Sequence, residues 1–384
     1  MLIQIHILQN YAPANLNRDD TGSPKDAMFG GVRRGRISSQ CLKRSIRRSE
    51  VFGEAFRAAG LLAQRTQLLP MLIKKELEGL GAGEEELKAI VARLPEIGRE
   101  SGKGNEEESE DDEAPAAGGT EPAGETKTKQ LIFIAPNEIR PMAEGLLKAY
   151  RKLGAAGWKK SKMKDITKEL AVTLPCSVDI AMFGRMTTSS AFEDVQAAVQ
   201  VAHAISTNAL AQEFDYYTAV DDLSGESGAG MIGDVEFNSS TYYKYLNVHW
   251  DQLLKNLGGD VQIARQAVLA LLDAAARAQP TGKQNSFAAF NLPEIVFVEI
   301  SQRNLPVSYA NAFLKPVKSG YEQTVMEASI RQFGSYTEKL SKAYALEAER
   351  AFLAVDETTI QGAKCLPSLP DLQAWVLERL PEEG

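Results

Sequence analysis

Histidine and cysteine are scarce in this chain, three of each among 384 residues, and the scarcity excludes several kinds of protein. Cys41, Cys176 and Cys365 are far apart and odd in number, so they set no disulfide framework and fit a reducing compartment. His6, His203 and His249 stand alone, without metal-ligand spacing to one another or to cysteine, so neither a metal site nor a cofactor is expected. Gly30 and Gly31 are followed by no Gly-Lys-Ser/Thr, which excludes a Walker phosphate loop. No apolar run approaches the ~20 residues of a membrane span. Met1–Gln9 alternates like a strand and shows neither a basic leader nor a small-residue cleavage site. A cytoplasmic protein with no membrane partner is expected. There is no internal repeat.

Acidic charge is in excess, and taken whole the net charge of −8 speaks against nucleic acid. Its distribution reverses that reading. Glu106–Glu113 (EEESEDDE) supplies seven of the acids, so the rest of the chain carries only −1. Within that rest, Arg33–Arg48 holds seven Lys or Arg, at 33, 34, 36, 43, 44, 47 and 48, and no Asp or Glu. A near-neutral body with one dense basic segment suits local phosphate binding. Gly98–Lys129, around the acidic run, lacks aromatics and is dominated by Gly, Glu, Asp, Ala, Pro and Thr. Such a segment cannot bury enough surface to offset its ordering entropy, and a disordered insertion is expected there.

Strands are expected from alternation at Leu2–Gln9, Val178–Phe183, Thr241–Val248 and Ile295–Ile300. Helical spacing marks about Gln40–Arg48, Phe56–Leu80, Asn137–Leu153, Met163–Val172 and Val261–Ala278, and most of the C-terminal third. Ser38 or Ser39 can cap the first helix, with Leu42 and Ile46 toward the core, and Asp260 can cap Val261–Ala278. Asn10–Gly35 reads as a Gly/Pro/Asp-rich loop. Val195–Thr207 fits either a helix (Val195, Ala198, Val199, Ala202) or a strand (Val199, Val201, His203, Ile205, Thr207). Strands scattered among helices, with long excursions between, predict a small α+β core carrying inserted pieces.

The densest motif is Asn15–Arg48, NLNRDDTGSPKDAMFGGVRRGRISSQCLKRSIRR. Lys43 and Arg47 lie four apart on one side of its helix, with Arg44 and Arg48 on the next stripe. Hydroxyls, a glutamine amide and guanidinium forks around a capped helix start suit successive phosphates and 2′-hydroxyls. A merely solvated basic face is the alternative for an isolated run, but this run joins a glycine turn, a cap and an Asn-Leu-Asn-Arg loop. Lys159, Lys160, Lys162 and Lys164 (WKKSKMK) form a candidate duplex-DNA steering patch, with an ordinary solvated face as its equal. Asp221 and Asp222 beside Thr218 could suggest a divalent metal site, although turn chemistry or contact with a neighbour fits them better.

NLNRDD, KDAMFGG, RRGRISSQ and LKRSIRR, in that order, resemble the signature of the CasC-type backbone family of the type I-E CRISPR Cascade complex. VDIAMFGRMTTS (178–189), VAHAIST (201–207), YYTAVDDL (216–223), FNSSTYYKYLNV (237–248), GKQNSFAAFN (282–291) and PVSYANAF (306–313) extend the resemblance over nearly the whole chain. The acidic run at 106–113 has no counterpart in that family's pattern.

The resemblance implies a modified RRM-like (ferredoxin-like) palm, in pieces 1–57, 178–207 and 238–384, the last with C-terminal helices. A helical fingers insertion would span 58–177 and a thumb hairpin 208–237. It implies a non-catalytic subunit that binds crRNA, polymerises with further copies of itself along the guide, meets other Cascade subunits and presents the guide to target DNA. Arg18, Lys25, Ser38, Gln40, Lys43 and Arg47 map onto backbone-binding positions, and Met186 onto an apolar wedge beside a displaced base. A metal-independent endoribonuclease processing crRNA is the alternative, since the RRM-like fold also serves such enzymes and a lone His with Lys can cleave at a 2′-hydroxyl.

Overall fold

The structure, a computed structural model, describes residues 1–97, 127–128, 131–171, 176–185, 192, 194–220 and 229–382. The acidic run at 106–113, all of the 98–129 insertion but 127 and 128, Met186 and the Asp221–Asp222 pair lie outside them. The fold is α+β, as the sequence predicts.

The first strand, β1 (Leu2–Ala14), runs past its expected end, and a hairpin of β2 (Asp26–Phe29) and β3 (Val32–Ile37) replaces part of the expected loop. Gly30 and Gly31 close that hairpin alone, at φ +62° and +76°, the left-handed pair that a tight two-residue turn demands. A Cβ on Gly30 would also meet the Leu314 carbonyl oxygen at 1.9 Å. Next comes α1 (Ser39–Arg48), capped by Ser38, whose Oγ accepts from the Cys41 N–H at 3.2 Å; Leu42 and Ile46 are buried.

The single helix expected over Phe56–Leu80 is instead α2 (Glu50–Phe56), β4 (Gln64–Thr66) and α3 (Leu69–Gly79). Pro70 sits in the first turn of α3, where its missing N–H costs nothing, and so marks a start inside the predicted helix. After α4 (Glu84–Val91) and β5 (Ile132–Ile134), α5 (Pro136–Lys160) is broken at Gly154 (φ +68°), one residue past the expected end at Leu153. α6 (Met163–Ala171) follows.

Val178–Phe183, expected as a strand, is helix α7 (Val178–Phe183). Val178 through Met182 are all buried, so the apparent alternation carried no information about which face met the core. Gly184 ends the helix at φ +83°, its N–H donating to the Ile180 carbonyl at 2.8 Å. Of the two readings of Val195–Thr207 the strand prevails, as β6 (Val199–Val201) and β7 (Ala204–Ser206).

A long hairpin of β8 (Glu213–Val220) and β9 (Ala229–His249) follows, then α8 (Trp250–Asn256) and α9 (Val261–Arg277). Asp260 caps α9, its Oδ1 accepting from the Ile263 N–H at 2.9 Å. The chain closes with α10 (Gln284–Phe287), β10 (Ile295–Ser301), α11 (Val325–Tyr344), β11 (Glu349–Ala354), β12 (Lys364–Cys365) and α12 (Leu369–Leu377).

Two compact units divide these elements. The first comprises Met1–Phe52, Gln200–His249 and Val268–Pro381. Its mixed sheet has the order β12-β11-β10-β1-β9-β7-β3-β2, with β6 and β8 also paired to β9. β1 lies between antiparallel β10 and β9, and Leu2 through Gln9 are all buried. Burial on both sides needs its polar residues satisfied. His6 meets Tyr243 Oη at 2.8 Å and Glu299 Oε2 at 3.2 Å, while Gln4 Oε1 accepts from Tyr245 Oη and the Val307 N–H, each at 2.7 Å. Around this pair Phe297, Tyr309, Phe313, Phe333 and Phe352 pack as an aromatic layer, Phe333 coming from α11.

The second unit comprises Gly53–Val199 and Trp250–Ala267. Leu69, Ile73 and Leu77 of α3 pack with Met142, Leu146 and Tyr150 of α5, the i, i+4, i+8 spacing of an apolar stripe. The Glu138 carboxylate, fully buried, receives the Ala135 N–H at 2.8 Å and Arg185 Nη1 at 2.7 Å.

Candidate nucleic-acid interface

The basic segment does not act as one surface. On β3, alternation turns Arg33 and Arg34 to opposite sides. Arg33 is exposed and pairs with Asp26 at 3.1 Å. Arg34 is fully buried and clamps backbone: Nη1 donates to the Ser206 and Thr207 carbonyls at 2.9 and 2.8 Å, and Nη2 to those of Phe313 and Leu314 at 2.7 and 3.3 Å. Desolvation lowers its pKa, and both terminal nitrogens are spent on backbone within the fold, although the buried Nε is left unpartnered. The sequence, counting seven cations, could not separate this clamp from its neighbours.

Of the remaining groups, some gather around the start of α1 and others lie along it, with Arg47 and Arg48 in its last turn. Asn17 Oδ1 accepts from the Ser38 N–H at 2.8 Å, and the Asn17 carbonyl accepts from the Lys25 N–H at 2.8 Å. The Lys25 carbonyl in turn accepts from the Arg36 N–H at 2.9 Å. These bonds hold the Asn15–Arg18 loop, Lys25 and the cap of α1 together, bringing Arg18, Lys25, Ser38 and Gln40 into one neighbourhood. Asp19, two residues from Asn17, is turned to its own loop; although desolvation opposes it, bonds from Thr21 and Ser23 hold its carboxyl below the usual range.

Individual positions differ in what they offer. Ser38 is buried and its hydroxyl is committed to the cap, so it shapes the helix start. Gln40 is exposed in the first turn. Lys43 and Arg47 are half-buried along α1, and desolvation lowers the Lys43 ammonium; Arg48 is exposed. Arg18 is half-buried, and Lys25 is buried. Arg36 Nη1 lies 3.2 Å from His203 Nδ1 on the exposed side of the sheet.

Sequence reasoning passed over Lys244 on β9. Burial pushes its ammonium down to about 7, and Nζ donates to Gln9 Oε1 and, at 2.9 Å, to Tyr11 Oη. Only its place in an alternating, aromatic-rich strand could have flagged it.

The 208–237 segment carries a two-stranded hairpin, registered from Glu213↔Phe237 to Val220↔Ala229. Phe214, Tyr216 and Ile232 share one face and Tyr217 and Met231 the other, and all five are exposed. In the second unit, Lys159, Lys160, Lys162 and Lys164 are all exposed at the α5–α6 junction. Buried Trp158 anchors that junction, its Nε1 donating to the Ala89 carbonyl at 3.1 Å. Among the described residues no group of His, Cys, Asp or Glu could hold a metal ion, and no helix is long and apolar enough to cross a membrane.

With this arrangement in view, the family comparison is decisive, because a model described as CT1975-like protein matches residues 3–375. The chain belongs to the CT1975-like protein family. Comparison with curated proteins finds no match. Among solved structures, a chain of a CRISPR RNA-guided surveillance complex, pre-nicking, is 28% identical over 99% of this chain and 100% of that one, with a TM-score of 0.77. A chain of another CRISPR RNA-guided surveillance complex is 23% identical over 99% of each, with a TM-score of 0.61, and supports the fold alone. The resemblance to CRISPR surveillance-complex subunits read from the motifs is borne out by this family member's likeness to them over its full length.

Proposed function

We propose that this protein is a crRNA-binding backbone subunit of a CRISPR surveillance complex, non-catalytic and cytoplasmic, that coats the guide in successive copies. The observation that carries the reading is the run of cations along the Ser38-capped helix α1, in a chain alike over its full length to a subunit of an RNA-guided complex. On this reading Arg18, Gln40, Lys43 and Arg47 face guide phosphates and 2′-hydroxyls, while Ser38 and the buried Lys25 set the backbone that receives them. Phosphate contacts position a strand without reading it, which suits a guide of arbitrary sequence, since pairing selects the target. The first unit serves as the RRM-like palm, the 208–237 hairpin as a thumb reaching a neighbouring copy, and the 58–177 insertion as fingers. The exposed apolar residues of the hairpin support that role, because an isolated two-stranded hairpin gains stability by being covered. The lysines at 159, 160, 162 and 164 steer target DNA, and other Cascade subunits are its partners.

The test is binding of two unrelated guide RNAs against salt. Lys43→Ala and Arg47→Ala weaken both about equally, and each lowers the slope of log affinity against log salt by roughly 0.7, one single-strand phosphate apiece. Affinity lost for one sequence only would refute backbone recognition.

The endoribonuclease reading retains one specific observation. His6 is locked in the aromatic layer, but His203 is exposed and lies 3.2 Å from Arg36. Single-site cleavage of repeat RNA that vanishes in His203→Ala would favour it.

A further inference from the structure

The motif GKQNSFAAFN at 282–291 has no part in the contacts proposed above, yet the fold packs it against the Asn15–Arg18 loop. A Cβ on Gly282 would lie 2.3 Å from the Leu16 carbonyl oxygen and 2.8 Å from that of Asn15. At the other end, the Asn291 carbonyl accepts from Gln9 Nε2 at 2.5 Å and Gln279 Nε2 at 3.1 Å, and its Oδ1 accepts from the Ala12 N–H at 3.1 Å. Between these two pins, α10 is bracketed by left-handed residues that are not glycine, Lys283 at φ +50° and Ala288 at φ +47°. Half-buried Phe287 packs tilted against Phe237 with ring centroids 5.7 Å apart, whereas Phe290 and Leu292 are each 63% exposed. Lys283, Asn285 and Ser286 are exposed as well, and Gly282–Leu292 contains no carboxylate.

Folding alone gives no reason to fasten a segment at both ends, hold it in strained backbone and present an aromatic ring to water. Strain of this kind persists where it preorganises a surface. An exposed aromatic ring and a cation on one pinned segment, with amide and hydroxyl groups and no carboxylate, have the chemistry of a single-strand platform. A base stacks on the ring whatever its identity, and the cation meets the adjoining phosphate.

We infer that Lys283–Leu292 is a second contact with the guide RNA, in which Phe290 stacks on a base and Lys283 meets a backbone phosphate. It rests on the reading of the first unit as guide-binding. The full chain is titrated with two unrelated single-stranded guide RNAs. Phe290→Ala loses roughly 5- to 100-fold in affinity for both, and Lys283→Ala lowers the salt slope by about 0.7. Phe290→Trp retains the affinity, and its fluorescence is quenched by RNA beyond the change shown by the native tryptophans. Lys43→Ala and Arg47→Ala, run in parallel, separate two failures. If they weaken binding while Phe290→Ala and Lys283→Ala do not, the loop contact is refuted and the α1 reading stands. If none of the four weakens binding, the guide-binding reading falls and the inference with it. Phe290→Ala that binds RNA like wild type but no longer forms stacked copies would make Phe290 a protein contact, which also overturns the inference.

Discussion

Lys244→Met should flatten the dependence of stability on pH between about 7 and 10. Lys244 is buried on β9, 5.2 Å from the Tyr11 ring centroid, and no carboxylate among the described residues pairs with it. Desolvation lowers its pKa from 10.5 to about 7 in the folded protein. Between those values the unfolded chain holds one proton that the folded chain has released, so stability rises with pH in this window. The slope is about 1.4 kcal/mol per pH unit, and it vanishes below about pH 7, where both states are protonated. From pH 7.5 to 9.5 the gain due to this group is roughly 2.5 kcal/mol. Methionine fills similar volume and does not titrate. It also leaves Gln9 Oε1 without its donor, at a cost of ~1–3 kcal/mol that does not vary with pH, so the informative quantity is the difference in slope. Urea titrations of both proteins at several pH values supply it, with ionisations that are not coupled to Lys244 cancelling in the comparison; a Lys244→Met, Cys41→Ser double variant accounts for the neighbouring thiol. Parallel curves would refute the reasoning, because they would mean that Lys244 stays charged while buried.

Two further predictions concern buried charge. Arg34→Met strands four backbone carbonyls and should destabilise the first unit by roughly 3–5 kcal/mol, with Arg34→Lys recovering only part because an ammonium lacks the guanidinium fork. Unchanged urea stability with weakened RNA binding would instead return Arg34 to the phosphate-binding set. For Glu299, desolvation raises the pKa, but His6 and Arg350 outweigh it and hold the carboxyl below 4.5, so its contribution is present above that value and is lost as pH falls through the folded pKa. Acid titration of stability should therefore be shallower in Glu299→Gln than in wild type; equal steepness would show that the pair is not a source of acid lability.

Features that depend on near neighbours were legible in the sequence. Ser38 caps α1, and Leu42 and Ile46 turn inward, because cap and stripe are set within two turns of one helix. Asp260 before α9 and the Gly30–Gly31 turn follow the same local logic. The α+β class followed from the mixture of periods, and the family from motifs spread along the chain.

Tertiary structure decided which side of an element is used, and by what. Val178–Phe183 became a helix because its surroundings bury every side, so a pattern of six residues could not choose the period. Arg33 and Arg34 are adjacent and chemically identical, yet one meets solvent and the other closes on carbonyls brought from residues 206–207 and 313–314. Lys244 is lowered toward neutrality because β1 and β9 enclose it, and the Gly282–Asn291 motif meets Asn15 and Leu16 some 270 positions away in the chain. Propensity and spacing act over a few residues, whereas burial and close approach depend on segments that meet only once the sheet has formed. The sequence by itself determined where the cations stand; the fold determined which of them remain available to bind.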